Sequence, residues 1–143
     1  MTEITFHFNV ADPMGYVCRL VRKAMRMATC PVVTGPAATL DRLDRQLWAF
    51  DPVSFVPHVR LKADTAVTPL IRATPVWLVD DPDDADRHDV LVNLGAGTPA
   101  GFESFARLIE IVSTEAEDRA AGRLRWKHYQ DRGYKIVEHA VSA

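Results

Sequence analysis

Arg119, Arg123, Trp126 and Lys127 fall in Glu115–Gly133, a late segment that reads as a helix. Spacings of i, i+4, i+7 and i+8 place the four on one helical face. Three cations around a large aromatic make a poor core face and a good surface for an anion. Ala116, Ala120, Leu124 and His128 are left to face the core. Basic residues near a helix C-terminus also favour the macrodipole, so a charged helix end needs no partner, and such runs are usually only solvated. Trp126 argues the other way, because an indole outside a core is over-represented at binding hot spots.

A second group lies in Trp48–His58. Phe55 stands between Pro52 and Pro57, which hold the chain extended and limit its freedom. A stiff loop presenting a phenylalanine can anchor a partner, and it can equally plug the core.

The elements that position these groups follow from periodicity. Ile4–Val10 alternates and predicts a strand. Asp12-Pro13 supplies an N-cap and a proline in the first turn of a helix that runs to about Thr29. Val17, Leu20, Val21, Ala24 and Ala28 form its apolar face; Arg19, Arg22, Lys23 and Arg26 form its wet face. Pro31–Thr34 is a short strand, broken by Gly35-Pro36. A second helix extends to about Trp48, with Leu40, Leu43 and Leu47 inward. Val53–Leu61 is irregular or partly extended, and Lys62–Ala73 reads as a loop. Pro75–Val79 and Val90–Leu94 are strands, separated by an acidic loop. Phe102–Val112 is expected to be a helix, with Phe105, Leu108, Ile109 and Val112 on one side. After the basic helix, Tyr134–Val137 adds a last strand. Strands alternating with helices predict a three-layer α/β domain, Rossmann-like, with a mostly parallel sheet and helices on both faces.

The chain of 143 residues fits one domain with a real core, 48% hydrophobic and 25% charged. A net charge of −2 weighs against a protein that grips nucleic acid over its whole surface, though not against a local basic patch. Cys18 and Cys30 lie ~18 Å apart if helical, too far for a disulfide, which points to a reducing, cytoplasmic setting. The N-terminus carries no signal-peptide pattern, and no apolar run approaches membrane-spanning length.

Catalytic signatures are missing. Gly95-Ala96-Gly97-Thr98-Pro99-Ala100-Gly101 follows a strand and precedes the expected helix, as a dinucleotide turn would. Its third glycine is one residue late, Pro99 interrupts it, and it does not lie in the first βα unit. No phosphate loop and no nucleophile elbow is present. His7, His58, His88, His128 and His139 are scattered without metal-ligand spacing. His58, after Pro57, can orient its loop by hydrogen bonding. Asp80, Asp81, Asp83, Asp84 and Asp86 lack the glycine-centred pattern of a calcium loop. We therefore expect no catalytic residue, no cofactor and no metal. A Rossmann-type nucleotide-binding enzyme using Gly95–Gly101 is the alternative. A direct single-stranded nucleic-acid binder using Trp126 and the arginines is a third reading.

Three segments carry a family resemblance. Arg123–Tyr134 reads Arg-Leu-Arg-Trp-Lys-His-Tyr-Gln-Asp-Arg-Gly-Tyr. Leu43–His58 contains Leu-Asp-Arg-Gln-Leu-Trp-Ala-Phe-Asp-Pro and Ser-Phe-Val-Pro-His. Asn93–Val112 has Asn-Leu-Gly, then Phe102, Phe105 and Arg107, then Ile-Glu-Ile-Val. Together they resemble the chi subunit family of bacterial DNA polymerase III, over nearly the whole chain from Thr5-Phe6 onward. The resemblance implies a compact Rossmann-like domain and a non-catalytic accessory subunit of the replisome. Its implied partners are the acidic, phenylalanine-ended tail of single-stranded-DNA-binding protein and the psi subunit of the clamp loader, or an equivalent partner. DNA would be reached only indirectly. Arg119, Arg123, Trp126 and Lys127 would take the tail, with cations on carboxylates and indole on the aromatic end. Tyrosine or phenylalanine is also usual at the place of Trp126, and the aromatic role survives the change. Trp48, Phe55, Val56, Pro57 and His58 would face psi.

Overall fold

The computed structural model describes residues 1–50, 55–62, 65–95 and 97–141. They form a seven-stranded sheet in the order β3-β4-β2-β5-β6-β1-β7. The strands are β1 (Glu3–Val10), β2 (Pro31–Thr34), β3 (His58–Leu61), β4 (Val76–Val79), β5 (Val90–Asn93), β6 (Arg107–Ser113) and β7 (Ile136–Ala140). Every pairing is parallel. The helices are α1 (Pro13–Arg26), α2 (Ala37–Ala49), α3 (Pro69–Ala73) and α4 (Ala116–Asp131).

A parallel sheet needs both faces covered, because each crossover lays a helix on it. On one face α1 and α2 set Val17, Val21, Leu40, Leu43 and Leu47 against Val33, Leu78, Val92, Ile109 and Ile111. On the other, Tyr129 of α4 packs with Ile4, Phe6, Trp77, Leu91, Leu108 and Val112, with Ile71 of α3 and Trp126 of α4 alongside. The expected three-layer architecture is therefore present.

Local chemistry explains the helix starts. Asp12 accepts from the Gly15 amide at 3.2 Å, and Pro13 opens α1. The helix stops at Arg26, short of Thr29, and Ala28 takes a left-handed φ of 58° beyond it. Thr68 caps α3, so the stretch Lys62–Ala73 is not all loop; residues 63–64 lie outside the described ones. The Trp77 indole, fully buried, donates to the carbonyls of Ile71 and Thr74 at 3.1 and 3.0 Å, which ties α3 to β4.

The largest correction concerns Phe102–Val112. Only a 3-10 turn, Phe102–Ser104, is helical, and Arg107–Ser113 is β6, paired with β5 and β1. An interior parallel strand is apolar on both faces, so its pattern is a near-continuous run that a helix of the same composition mimics. The β-branched Ile109, Ile111 and Val112 favour the strand.

The inward face of α4 is also different from expectation. Ala116, Ala120 and Leu124 are exposed, Leu124 by 73%, and His128 is only half-buried. Gly122, Arg125 and Tyr129 are the buried positions. The helix turns this way because its core contact is polar. Glu110 of β6, 0% exposed, accepts from Tyr129 Oη at 2.5 Å, Arg125 Nε at 3.0 Å and Asn93 Nδ2 at 2.9 Å. Gly122 leaves room for Val112, where a methyl group would meet Val112 Cγ2 at 3.0 Å.

Candidate functional site

Rotating α4 onto Glu110 fixes what its other faces present. Arg119, Arg123 and Trp126 line a groove of about 680 Å³, floored by Phe6, Phe8 and Val112 and bounded by Asn9, Glu138 and Ala140. Lys127 is exposed and is not among the lining residues. Its position, one residue beyond Trp126, carries it around the helix by about 100°. The structure thus brings together three of the four residues expected on this face.

The groove is built by parts distant in sequence. Trp126 is half-buried, and its indole lies 5.0 Å from the Phe6 ring, tilted by 53°. Asn9, at a left-handed φ of 64°, sits where the β1–β6 register shifts, and its amide donates to the Val141 carbonyl at 3.1 Å. Asp118 accepts from the Ser113 amide at 2.6 Å, pinning the start of α4 to the end of β6. At its other end Gly133 takes a left-handed φ of 82°, and Tyr134 N donates to Tyr129 O at 3.1 Å, reversing the chain into β7. Among the described residues, Arg119 and Arg123 have no carboxylate within ion-pair distance.

Beneath the groove the Glu110 network is a fixed base. Burial pushes the Glu110 carboxyl above its ordinary range, against the pull of Arg125, Tyr129 and Asn93. Burial, then the Glu110 charge, pushes the Tyr129 phenol well up, so it stays a donor. Sequence reasoning missed Glu110, Arg125 and Tyr129. The available signal was a lone acid in the apolar run Leu108-Ile109-Glu110-Ile111-Val112, which needs a buried partner.

The second expected surface divides. Trp48 and Phe55 are 64% and 46% exposed, and their rings lie 5.0 Å apart. Val56 is in the core, Pro57 is half-buried, and His58 is buried. His58 Nδ1 pairs with the Val56 carbonyl at 2.7 Å and Nε2 lies 3.0 Å from Asp44 Oδ1, which holds the loop as the sequence suggested. Pro52 lies outside the described residues. Phe55 is therefore no core plug. Phe55→Ala should lower stability by about 1 kcal/mol, the scale of one aromatic pair. A urea-denaturation midpoint corresponding to the ~3–5 kcal/mol of a buried phenylalanine would place it in the core instead.

Two other tempting features resolve structurally. Gly95–Gly101, of which Ala96 lies outside the described residues, runs into a 3-10 turn and then β6. No α-helix N-terminus follows it, so the strand–turn–helix setting that a pyrophosphate needs is missing there. In the acidic loop, Asp80 pairs with Arg60 at 2.7 Å, and Asp86 pairs with Arg72 at 3.1 Å and Arg87 at 3.3 Å. Cys18 and Cys30 are free, and burial pushes the Cys18 thiol up to about 11.

The class is thus a doubly wound, all-parallel α/β domain with a groove of about 680 Å³ between α4 and the C-terminal halves of β1 and the edge strand β7. Its family follows from comparison. The chain belongs to the DNA polymerase III chi subunit (HolC) family, whose model matches residues 1–137. That places it among the accessory subunits of the polymerase. It is 29% identical to DNA polymerase III subunit chi of Pseudomonas aeruginosa, over 99% of this chain and 98% of that one. It is 30% identical to the Haemophilus influenzae protein of the same name, over 69% and 66%. The C-terminal domain of the DEAD-box protein Dbp5 shares the fold at a TM-score of 0.59 and 11% identity, with 98% and 90% of the two chains covered. A second structure of that Dbp5 domain, from S. cerevisiae, gives 0.58 at 9%. At such identities the likeness concerns fold alone. No described helix is long and apolar enough to cross a membrane.

Proposed function

We propose that the chain tethers single-stranded-DNA-binding protein to the clamp loader, holding that protein's acidic C-terminal tail in the α4 groove. The observation that carries this reading is the joining of Arg119, Arg123 and Trp126 over a floor of Phe6, Phe8 and Val112. Cations at the rim and aromatic surface below match a ligand with carboxylates and a terminal phenylalanine. The Arg119 and Arg123 guanidinium groups, which have no ion-pair partner among the described residues, offer bidentate donors to a terminal carboxylate, a charge that an internal acidic segment lacks. Lys127, beside the groove, acts on the approaching tail through longer-range attraction.

The exposed Trp48–Phe55 pair is the second contact, facing psi or an equivalent clamp-loader component. Buried His58 supports that pair, its ring 5.1 Å from that of Trp48 and 5.8 Å from that of Phe55. The protein would act in the cytoplasm, where the replisome is, and catalyse nothing itself.

Titration calorimetry with a synthetic acidic peptide ending in phenylalanine tests the tail reading. The free acid should bind, and affinity should fall as salt rises, because exposed pairs are screened. Amidating the C-terminus should weaken binding at least tenfold. Equal affinity of acid and amide would remove the terminal carboxylate from recognition and overturn the reading.

A further inference from the structure

The opposite face of the same sheet edge carries a second groove, of about 480 Å³, between α1 and strands β1 and β7. Its lining is mostly polar and includes Arg19, Lys23, Arg107, His7, Tyr16 and His139. The helix behind it is unusual. Between Pro13 and Arg26 α1 carries Arg19, Arg22, Lys23 and Arg26 and no acidic residue. Arg19, Lys23 and Arg26 recur at i, i+4 and i+7, a stripe about 10 Å long. All three are exposed, as is Arg107 at the start of β6. Among the described residues, none of these four has a carboxylate within ion-pair distance. The acids facing the groove are Glu3 and Glu138.

A smaller chamber of about 270 Å³ opens beside it and shares His7, Leu20, Lys23 and Arg107. Its remaining walls are largely apolar, with Val21, Met27, Val90 and Ile109 among them. Cations in a row therefore stand next to an apolar recess. An acidic peptide ending in phenylalanine finds a floor of Phe6 and Phe8 in the α4 groove, whereas the rings lining this face are His7, Tyr16 and His139, set among cations. A row of charges with a recess beside it suits a chain of phosphates that carries flat bases.

We propose that the α1 groove is a direct contact for single-stranded DNA, with Arg19, Lys23 and Arg107 in the groove and Arg26 beyond its edge on the same helix taking successive phosphates, and the recess open to a base. The contact is local, which agrees with a near-neutral chain, and it is separate from the α4 groove. His7 reports on it. Its imidazole is held down to about 4 by burial and then by the charges of His139 and Arg107, and its Nδ1 faces Tyr16 Oη at 2.5 Å. Glu3 and Glu138 face the same groove, while Arg19 and Lys23 stand on the helix opposite. A phosphate among these cations would offset their field and move the His7 titration upward.

The test is binding of short oligothymidylate to the full chain, followed by fluorescence anisotropy and by the His7 resonance in NMR. We expect binding whose log–log salt dependence has a slope of about −3, from four phosphates at about −0.7 each for a single strand. The double variant Lys23→Glu/Arg107→Glu should lose at least tenfold in oligonucleotide affinity and keep its affinity for the acidic peptide. Arg123→Glu should do the reverse. Inorganic polyphosphate should bind more weakly than the oligonucleotide and leave the recess resonances of Val90 and Ile109 unmoved. Both variants change exposed residues, and unchanged melting curves establish that they fold. The proposal is overturned if the double variant binds oligonucleotide as well as wild type. It is also overturned if Arg123→Glu abolishes that binding, or if polyphosphate binds equally and moves the same resonances.

Discussion

Glu110→Ala will destabilise the protein by about 3–5 kcal/mol, because it leaves the Arg125 guanidinium buried without its carboxylate. Arg125 is 2% exposed and Tyr129 is fully buried, so water cannot replace the lost acceptor without opening α4 from the sheet. Asn93 loses a partner as well, and its amide also donates to the Gly97 carbonyl at 3.0 Å, so the turn after β5 should loosen. Urea denaturation measures the loss directly. Removing both charges tells the pair's net worth from the penalty of orphaning one member. Glu110→Leu/Arg125→Met should recover most of the stability, since an apolar pair of similar volume is often as stable as a buried ion pair. A loss below about 1 kcal/mol for Glu110→Ala would mean that α4 is held by its apolar contacts alone, the range of an ordinary hydrogen bond.

Trp126→Ala is expected to cost at least 2 kcal/mol of peptide affinity, roughly thirtyfold, as a central aromatic anchor does. The indole lines the groove and reaches from α4 to the Phe6 ring, so its removal opens the floor and not just the rim. Trp126→Phe should retain most of the affinity, because the ligand's aromatic end needs a ring to pack on and no hydrogen bond. Lys127→Glu should be milder than Arg123→Glu, because only Arg123 lines the groove. Calorimetry on all four variants with one peptide decides the ranking. Wild-type affinity in Trp126→Ala would remove the groove from tail recognition.

Much of this was legible in the residues, for identifiable reasons. The β1, β2, β4 and β5 strands announced themselves because short apolar runs were bounded by Asp12-Pro13, Gly35-Pro36 and the acidic stretch after Val79. Helix α1 was legible because Asp12 caps it and its charges fall on one side. Strand β6 was not, because two-sided burial erases alternation and leaves a run with no period to measure. Polar anchoring hid the inward face of α4: hydropathy places Leu124 inside and Arg125 outside, and the opposite holds because Glu110 waits on the sheet. The groove was half visible. Its helical side followed from the spacing of Arg119, Arg123 and Trp126, whereas its floor comes from β1, which only the sheet order brings to α4. The Trp48–Phe55 pair was legible as a loop between prolines, but no pattern in the sequence could decide between exposure and burial.

Strand β1 has its neighbours at the far end of the chain: Ile4 pairs with Leu108 on one side and Ile136 on the other. During synthesis the first strand therefore waits, unpaired, while about 100 residues follow it, which at ordinary elongation rates takes roughly 5–20 s. Both grooves share Glu138 of β7, so neither exists on a nascent chain that has not yet docked its last strand. An incomplete or truncated polypeptide cannot compete for ligands with the finished one, and assembly is restricted to molecules that have closed their sheet. The same long-range pairing predicts slow folding for a domain of this size, since loop closure is spent before its contacts are gained.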